Sequence, residues 1–92
     1  MTETWFVRKD IIEKVGAEAA VVYAFLLERR EICKATGQLN EHGGFHVSLG
    51  EFYEELRFEA PKRDKANKKL ISIGLIAVKR EGHHGQNNFY IL

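Results

Sequence analysis

The chain has 92 residues, 45% of them hydrophobic and 29% charged, a composition that fits one soluble domain over residues 1–92 and excludes a disordered chain. Its single cysteine excludes an internal disulfide, and the sequence shows neither a signal peptide nor an apolar run of the roughly 20 residues that span a bilayer. We therefore expect a cytoplasmic protein with no membrane partner. The net charge of +1 conceals an uneven distribution, because residues 1–60 hold seven Lys or Arg against eleven Asp or Glu, whereas residues 61–92 hold seven against two.

The first part of the chain predicts two helices. Asp10 is a suitable N-cap for a short helix over residues 11–15, and Gly16 is a suitable residue to end it. From Ala17 onward, apolar residues recur at helical spacing, which predicts the longest helix of the protein, ending near Gly37.

A third helix is predicted after a glycine-containing turn and a short strand over residues 45–47. Ser48 is a good N-cap, and Glu51, three residues later, completes a capping box for a helix over residues 49–56. The side chains predicted to face the core are Leu49, Phe52, Tyr53 and Leu56.

A fourth helix is predicted over residues 61–73, after a tight connection at residues 57–59. Pro61 suits its first turn, where the missing N–H costs nothing, and Gly74 ends it. With about 100° per residue, the helix has two sides. Its predicted inner side carries Ala66, Leu70 and Ile73, and its predicted outer side carries Lys62, Lys65, Lys68 and Lys69.

The last part of the chain predicts a β-hairpin. Residues 75–80 and 88–92 are rich in strand-forming side chains, and the glycines of residues 81–87 permit a turn between them. Two short helices followed by a hairpin predict an α+β, mainly α fold, the winged helix-turn-helix, with four helices and a small three-stranded antiparallel sheet. The helix-turn-helix would cover residues 48–73 and the wing hairpin residues 75–92.

This order predicts double-stranded DNA as the partner, because a helix that enters the major groove needs an inner side for packing and long cationic side chains outside. Arg63 and Asn67 have the right chemistry to read guanine and adenine edges, respectively. The lysines suit phosphate contacts, since lysine lacks the planar fork of arginine. The candidate DNA-binding residues are Lys62, Arg63, Lys65, Asn67, Lys68 and Lys69 on the helix, Lys79 and Arg80 on the first hairpin strand, and His83, His84, Gln86 and Asn87 at its tip.

Several stretches resemble the N-terminal winged-helix domain of plasmid replication initiators from Gram-positive bacteria. They are residues 5–7 with 19–27, residues 37–45, and Gly74-Leu75-Ile76 with residues 79–82 and 88–90. Residues 51–58 are similar to the first helix of the helix-turn-helix in phage and conjugative-element replication proteins. The resemblance implies replication initiation or regulation on a plasmid, phage or other mobile element, alongside other replication or regulatory proteins. Arg63 and Asp64 stand where such relatives usually carry a Thr and a β-branched residue.

Metal binding and catalysis are not supported by the remaining polar residues. The spacing of His42 and His46 fits two metal ligands on a helix, but the two glycines between them disfavour a helix, and Cys33 has no second cysteine beside it. Glu54 and Glu55 point to different sides of a helix, and the chain contains no glycine-rich phosphate loop or serine nucleophile elbow. We therefore expect no enzyme, no metal and no cofactor.

Two functional alternatives and one question of assembly stay open. A winged helix also serves transcription regulators, and the acidic residues 1–60 together with Asp64 favour a protein-interaction module that does not bind DNA. Trp5 and Phe6 precede the first helix and have few partners nearby in sequence, so they belong either to the core or to a homodimer interface with the long helix.

Overall fold

The computed structural model describes residues 7–81 and 87–92. Within these ranges the chain forms four helices and three strands: α1 (Lys9–Val15), α2 (Ala17–Ala35), β1 (Phe45–Ser48), α3 (Leu49–Leu56), α4 (Ala60–Ser72), β2 (Ala77–Glu81) and β3 (Asn87–Ile91). The predicted order of elements and the α+β, mainly helical class are confirmed, and the architecture is compatible with a winged-helix-like fold.

The sheet has the strand order β1-β3-β2, and both pairings are antiparallel. β3 is therefore the central strand, with Asn88 opposite both Val47 of β1 and Arg80 of β2. Side chains alternate along a strand, so Asn88 and Tyr90 share one face of β3, and both are buried. This face of the sheet packs towards the helices.

The hydrophobic core lies between α2, α4 and the inner face of the sheet. The Phe25 and Phe52 rings pack edge to face at a centroid distance of 5.1 Å, which fixes α3 against α2. An ion pair between Arg29 Nη2 and Glu51 Oε2, 2.9 Å long, joins the same two helices at the rim. The largest fully buried side chains are Tyr90, Phe25, Phe45, Phe52, Leu26, Leu70, Val22, Val47 and Asn88.

The turn between α3 and α4 follows from local chemistry at both ends of α3. The predicted capping box is present: the Ser48 hydroxyl accepts a hydrogen bond from the Glu51 backbone N–H at 3.1 Å, and the Glu51 carboxylate accepts one from the Ser48 backbone N–H at 3.4 Å. At the other end, Arg57 adopts the left-handed conformation, with φ of 59°, and its backbone N–H donates a hydrogen bond to the Tyr53 carbonyl. The chain then needs only residues 57–59 to reach α4.

Several details of the predicted elements are wrong. α1 begins at Lys9, one residue before the predicted cap, because Asp10 lies inside the first turn and pairs with Arg8 at 2.7 Å. Tyr53 is 47% exposed and Ile73 is 38% exposed, although both were expected to face the core. α3 and α4 are short, so only the narrow stripe nearest α2 and the sheet is covered.

Further boundaries also differ from the prediction: β1 ends at Ser48, one residue later than predicted, α4 spans Ala60–Ser72 in place of residues 61–73, and β3 spans Asn87–Ile91 in place of residues 88–92. α2 ends at Ala35, before Gly37, and β2 begins at Ala77, after the predicted start at residue 75. No helix in the described ranges is long and apolar enough to cross a membrane.

Candidate nucleic-acid interface

The outer side of α4 carries exposed lysines. Ala66 and Leu70 lie on the buried side of the helix, and the step of about 100° per residue places Lys65 and Lys68 on the opposite side, where both are exposed. These two ammonium groups are therefore the ones that α4 presents most directly to solvent.

Lys62 and Lys69 lie on the flank of α4 that faces the start of α2. Lys62 Nζ is 3.1 Å from Glu18 Oε2 and 5.0 Å from the centre of the Phe58 ring. Lys69 Nζ is close to Gly16, since a methyl group built at Gly16 would lie 3.8 Å from it. The Lys62–Glu18 pair is solvent-exposed, so it contributes little to stability.

The structure buries Arg63 and Asn67, the two residues predicted to read base edges. Arg63 is 2% exposed and Asn67 is 5% exposed, because the buried side of α4 extends over their positions as well as Ala66 and Leu70. The Arg63 guanidinium donates to Asp64 Oδ1 from Nε at 3.1 Å. Neither side chain is exposed enough to meet a base in a groove of DNA.

Asn67 instead belongs to a buried polar cluster with the central strand. Asn67 Nδ2 donates to Tyr90 Oη at 2.8 Å, and Asn88 Nδ2 donates to the same oxygen at 3.2 Å. Burial raises the pKa of Tyr90, and these two hydrogen bonds oppose that rise only in part, so the hydroxyl stays neutral near pH 7. The side-chain oxygens of Asn67 and Asn88 are buried and have no hydrogen-bond partner in the described structure. Sequence reasoning missed this cluster, whose only local signal is the i, i+2 spacing of Asn88 and Tyr90.

A groove of about 500 Å³ separates α4 from the hairpin. Arg80 Nη2 of β2 lies 3.3 Å from Asp64 Oδ2 of α4, so an ion pair connects the two walls. Three cations face one carboxylate in this groove, which makes it electropositive. Its lining residues are Asp64, Lys65, Asn67, Lys68, Ile71, Val78, Arg80 and Asn88.

Lys79 is directed away from this groove, although the sequence grouped it with Arg80. Neighbouring residues of a strand point to opposite faces, and Lys79 lines a separate hollow with Asn40, His42 and Phe89 on the other side of the sheet. The structure therefore brings Lys65, Lys68 and Arg80 together and leaves Lys79 apart.

Of the four residues predicted at the wing tip, the structure describes only the backbone of Asn87. His83, His84 and Gln86 lie outside the described residues. Asn87, predicted at the tip, begins β3 opposite Ser48, and its side chain also lies outside the description. These four residues stay predictions, as does the dimer role of Trp5 and Phe6, which fall in the undescribed residues 1–6.

Cys33 is a buried residue of the core. Its thiol donates to Gln38 Oε1 at 3.8 Å, and burial raises the pKa of the thiol, which disfavours the reactive thiolate. Across residues 7–81 and 87–92, no three His, Cys, Asp or Glu side chains are grouped as metal ligands would be.

Comparisons with known proteins give a structural likeness without a sequence relative. No model of a known protein family matches the chain, and no curated protein does. A solved structure described as a Rep-DNA complex is similar, with a TM-score of 0.72 and 22% sequence identity over 98% of this chain and 75% of that chain. At this identity the likeness shows that the two chains share a fold.

Proposed function

We propose that this chain is a winged-helix domain that binds double-stranded DNA and acts in replication initiation or its regulation on a plasmid, phage or other mobile element. The observation that carries the proposal is the exposed lysine face of α4, with Lys65 and Lys68 at its centre, beside Arg80 of the hairpin. The same fold occurs in the Rep protein of the Rep-DNA complex. Shared fold and basic face together favour DNA over other partners.

In this proposal α4 is the recognition helix. α3 and the turn at residues 57–59 hold its first turn, while packing against α2 holds its buried side. With α4 in the major groove, Lys65 and Lys68 reach the two DNA backbones that border the groove. Arg80, on the hairpin, contacts a further phosphate. Lys62 exchanges Glu18 for a phosphate, because its solvent-exposed ion pair with Glu18 is weak and costs little to break.

Phosphate contacts dominate this interface. Arg63 and Asn67 are buried, so the cations left at the surface of α4 are lysines, whose point charges do not read guanine with a planar fork. We therefore expect strong dependence of affinity on salt and modest discrimination between DNA sequences.

A salt titration with matched lysine variants tests the proposal. Fluorescence anisotropy would measure duplex binding for the wild type, for Lys65→Gln/Lys68→Gln, and for the control Lys9→Gln/Lys34→Gln, which removes two exposed lysines from other helices. The first variant should weaken binding and reduce the slope of log K against log salt by about 2, about one per phosphate contact, and the control should not. Absence of salt-dependent duplex binding below about 100 mM salt would refute the proposal.

A protein-interaction module is the second candidate, because two carboxylates already pair with cations of the proposed DNA face: Glu18 with Lys62, and Asp64 with Arg80. Lys65→Glu/Lys69→Glu separates the two candidates. Loss of duplex binding in this variant supports the DNA interface, whereas unchanged DNA behaviour and unchanged partner binding favour the interaction module.

The cellular role needs a separate experiment. Sequencing of the DNA fragments that the protein retains from its host would show enrichment of replication origins if it acts in replication. Enrichment of promoters would instead identify a transcription regulator. We propose neither an enzymatic activity nor a cofactor for this chain.

A further inference from the structure

Asp64 is an acidic residue in the middle of the proposed DNA face. It lines the groove between α4 and the hairpin together with Lys65, Lys68 and Arg80, and its side chain is 35% exposed. A carboxylate in this position repels phosphate on every DNA sequence, so its charge alone would weaken the binding that the lysines provide. The contacts of its two oxygen atoms indicate a different role.

One oxygen of Asp64 is anchored from inside the fold. Arg63 Nε and Arg63 Nη2 both lie 3.1 Å from Asp64 Oδ1, and the Arg63 side chain is only 2% exposed. A buried guanidinium has little room to move, so these charge-assisted contacts fix the carboxylate in one orientation. Neutralisation of Arg63 accounts for this oxygen, but it does not account for the direction of the second one.

The second oxygen of Asp64 faces the hairpin. Asp64 Oδ2 lies 3.3 Å from Arg80 Nη2, on the edge strand β2. The Arg80 side chain is 62% exposed, and a guanidinium carries five N–H donors in a planar fork, so one carboxylate leaves donors for a second anion. Asp64 therefore holds one side of the Arg80 fork and leaves the other side for a phosphate.

This ion pair differs from the pair between Lys62 and Glu18 on the same face. The Lys62 and Glu18 side chains are both well exposed, and such a pair contributes little because two mobile side chains must be ordered to form it. Arg63, Asp64 and Arg80 instead form a network with a buried arginine at one end and an exposed arginine at the other. The fold has already ordered the carboxylate that Arg80 meets.

We propose that Asp64 is a positioning residue of the DNA interface, which orients the Arg80 guanidinium for contact with a DNA phosphate. Arg63 anchors Asp64, Asp64 holds Arg80 beside α4, and Arg80 binds the phosphate with its outward N–H groups. An exposed arginine loses rotamer freedom when it binds a partner, and Asp64 removes part of that freedom before DNA is bound. The inference rests on the proposed DNA-binding function and names a residue on which the hairpin contact depends.

A double-mutant cycle tests the positioning role, because it separates the effect of Asp64 on Arg80 from the repulsion between Asp64 and phosphate. Fluorescence anisotropy would measure duplex affinity for the wild type, Arg80→Gln, Asp64→Asn and the double variant. Direct repulsion between Asp64 and DNA is the same with and without Arg80, so it cancels in the cycle. We expect Arg80→Gln to weaken binding about tenfold in the wild type and at most about twofold in the Asp64→Asn background.

Asp10→Asn is the matched control for Asp64→Asn. It also removes one carboxylate that pairs with an arginine, Arg8, but on α1. In this background Arg80→Gln should still weaken binding about tenfold. Asparagine at position 64 keeps a side-chain oxygen that accepts from Arg63, and circular dichroism with urea denaturation would confirm that each variant is folded.

Arg80→Lys tests the same role without a change at Asp64 or Arg63. Residue 80 is exposed, so this variant should keep the stability of the wild type. Lysine keeps the positive charge but lacks the planar fork that contacts a carboxylate and a phosphate at once, so duplex binding should weaken at least about fivefold. Binding as tight as that of the wild type would overturn the positioning role.

The outcomes separate this inference from the proposed function. Duplex binding in which Arg80→Gln causes the same loss with and without Asp64→Asn overturns the positioning role and leaves the DNA interface in place. A larger loss in the Asp64→Asn background also overturns it, because Asp64 would then compete with phosphate for Arg80. Absence of salt-dependent duplex binding in the wild type overturns both proposals.

Discussion

Replacing Tyr90 by phenylalanine tests the buried cluster that connects α4 to the sheet. The ring stays, but its hydroxyl, which accepts hydrogen bonds from Asn67 at 2.8 Å and Asn88 at 3.2 Å, is removed. All three side chains are at most 5% exposed, so water does not readily replace the lost acceptor. Each stranded N–H donor costs about 1–3 kcal/mol, and we expect Tyr90→Phe to lower the free energy of unfolding by about 2–4 kcal/mol.

Such a loss is large for this chain. At about 0.05–0.15 kcal/mol per residue, the whole domain is stable by roughly 5–14 kcal/mol. Urea denaturation would measure the difference directly, and thermal melting should show a fall in Tm of roughly 10–30 °C. Tyr53→Phe is the matched control, because Tyr53 is 47% exposed, and it should change stability by less than about 0.5 kcal/mol. A loss below about 1 kcal/mol in Tyr90→Phe would show that the hydroxyl does not hold the two amides.

Three further predictions concern other parts of the fold. Burial raises the pKa of Tyr90 above its usual 10.0, so the unfolded chain releases the hydroxyl proton at a lower pH than the folded protein does. The stabilisation that the protonated Tyr90 gives to the fold is therefore complete below about pH 10 and is lost as the pH rises further. Alkaline denaturation should be steeper in the wild type than in Tyr90→Phe. Ser48→Ala removes the hydroxyl that accepts from the Glu51 N–H, and should cost about 1 kcal/mol in urea denaturation; an unchanged midpoint would contradict the capping box. The Cys33 thiol is buried and hydrogen-bonded to Gln38, so it should react with a thiol reagent at least about tenfold more slowly in the native protein than in urea. Equal rates would contradict the burial of the thiol.

The elements of this fold could be predicted because their signals are local. The capping box at Ser48 and Glu51, the position of Pro61 in a first turn and the apolar periodicity of α2 each act within a few residues. The opposite directions of Lys79 and Arg80 also follow from the sequence, since adjacent residues of a strand alternate, although the shared charge of the two side chains suggests one site.

The candidate site could be predicted only in part. The outward direction of Lys65 and Lys68 follows from helical periodicity, and the structure agrees. The burial of Arg63 and Asn67 does not follow from it, because a polar side chain enters a core only where a partner compensates it. For Asn67 that partner is Tyr90, 23 residues away in the sequence.

The amino-acid sequence by itself determined the order of helices and strands, the concentration of cations after residue 60 and the lysine face of α4, because helix caps, periodicity and charge are local properties. Only the tertiary structure decided that Arg63 and Asn67 of α4 are buried and that Asp64 meets Arg80 across a groove. The central position of β3 is what brings Asn88 and Tyr90 beneath α4. Strand order and helix packing are set by contacts between residues far apart in the sequence, so a local pattern of side chains does not specify either one.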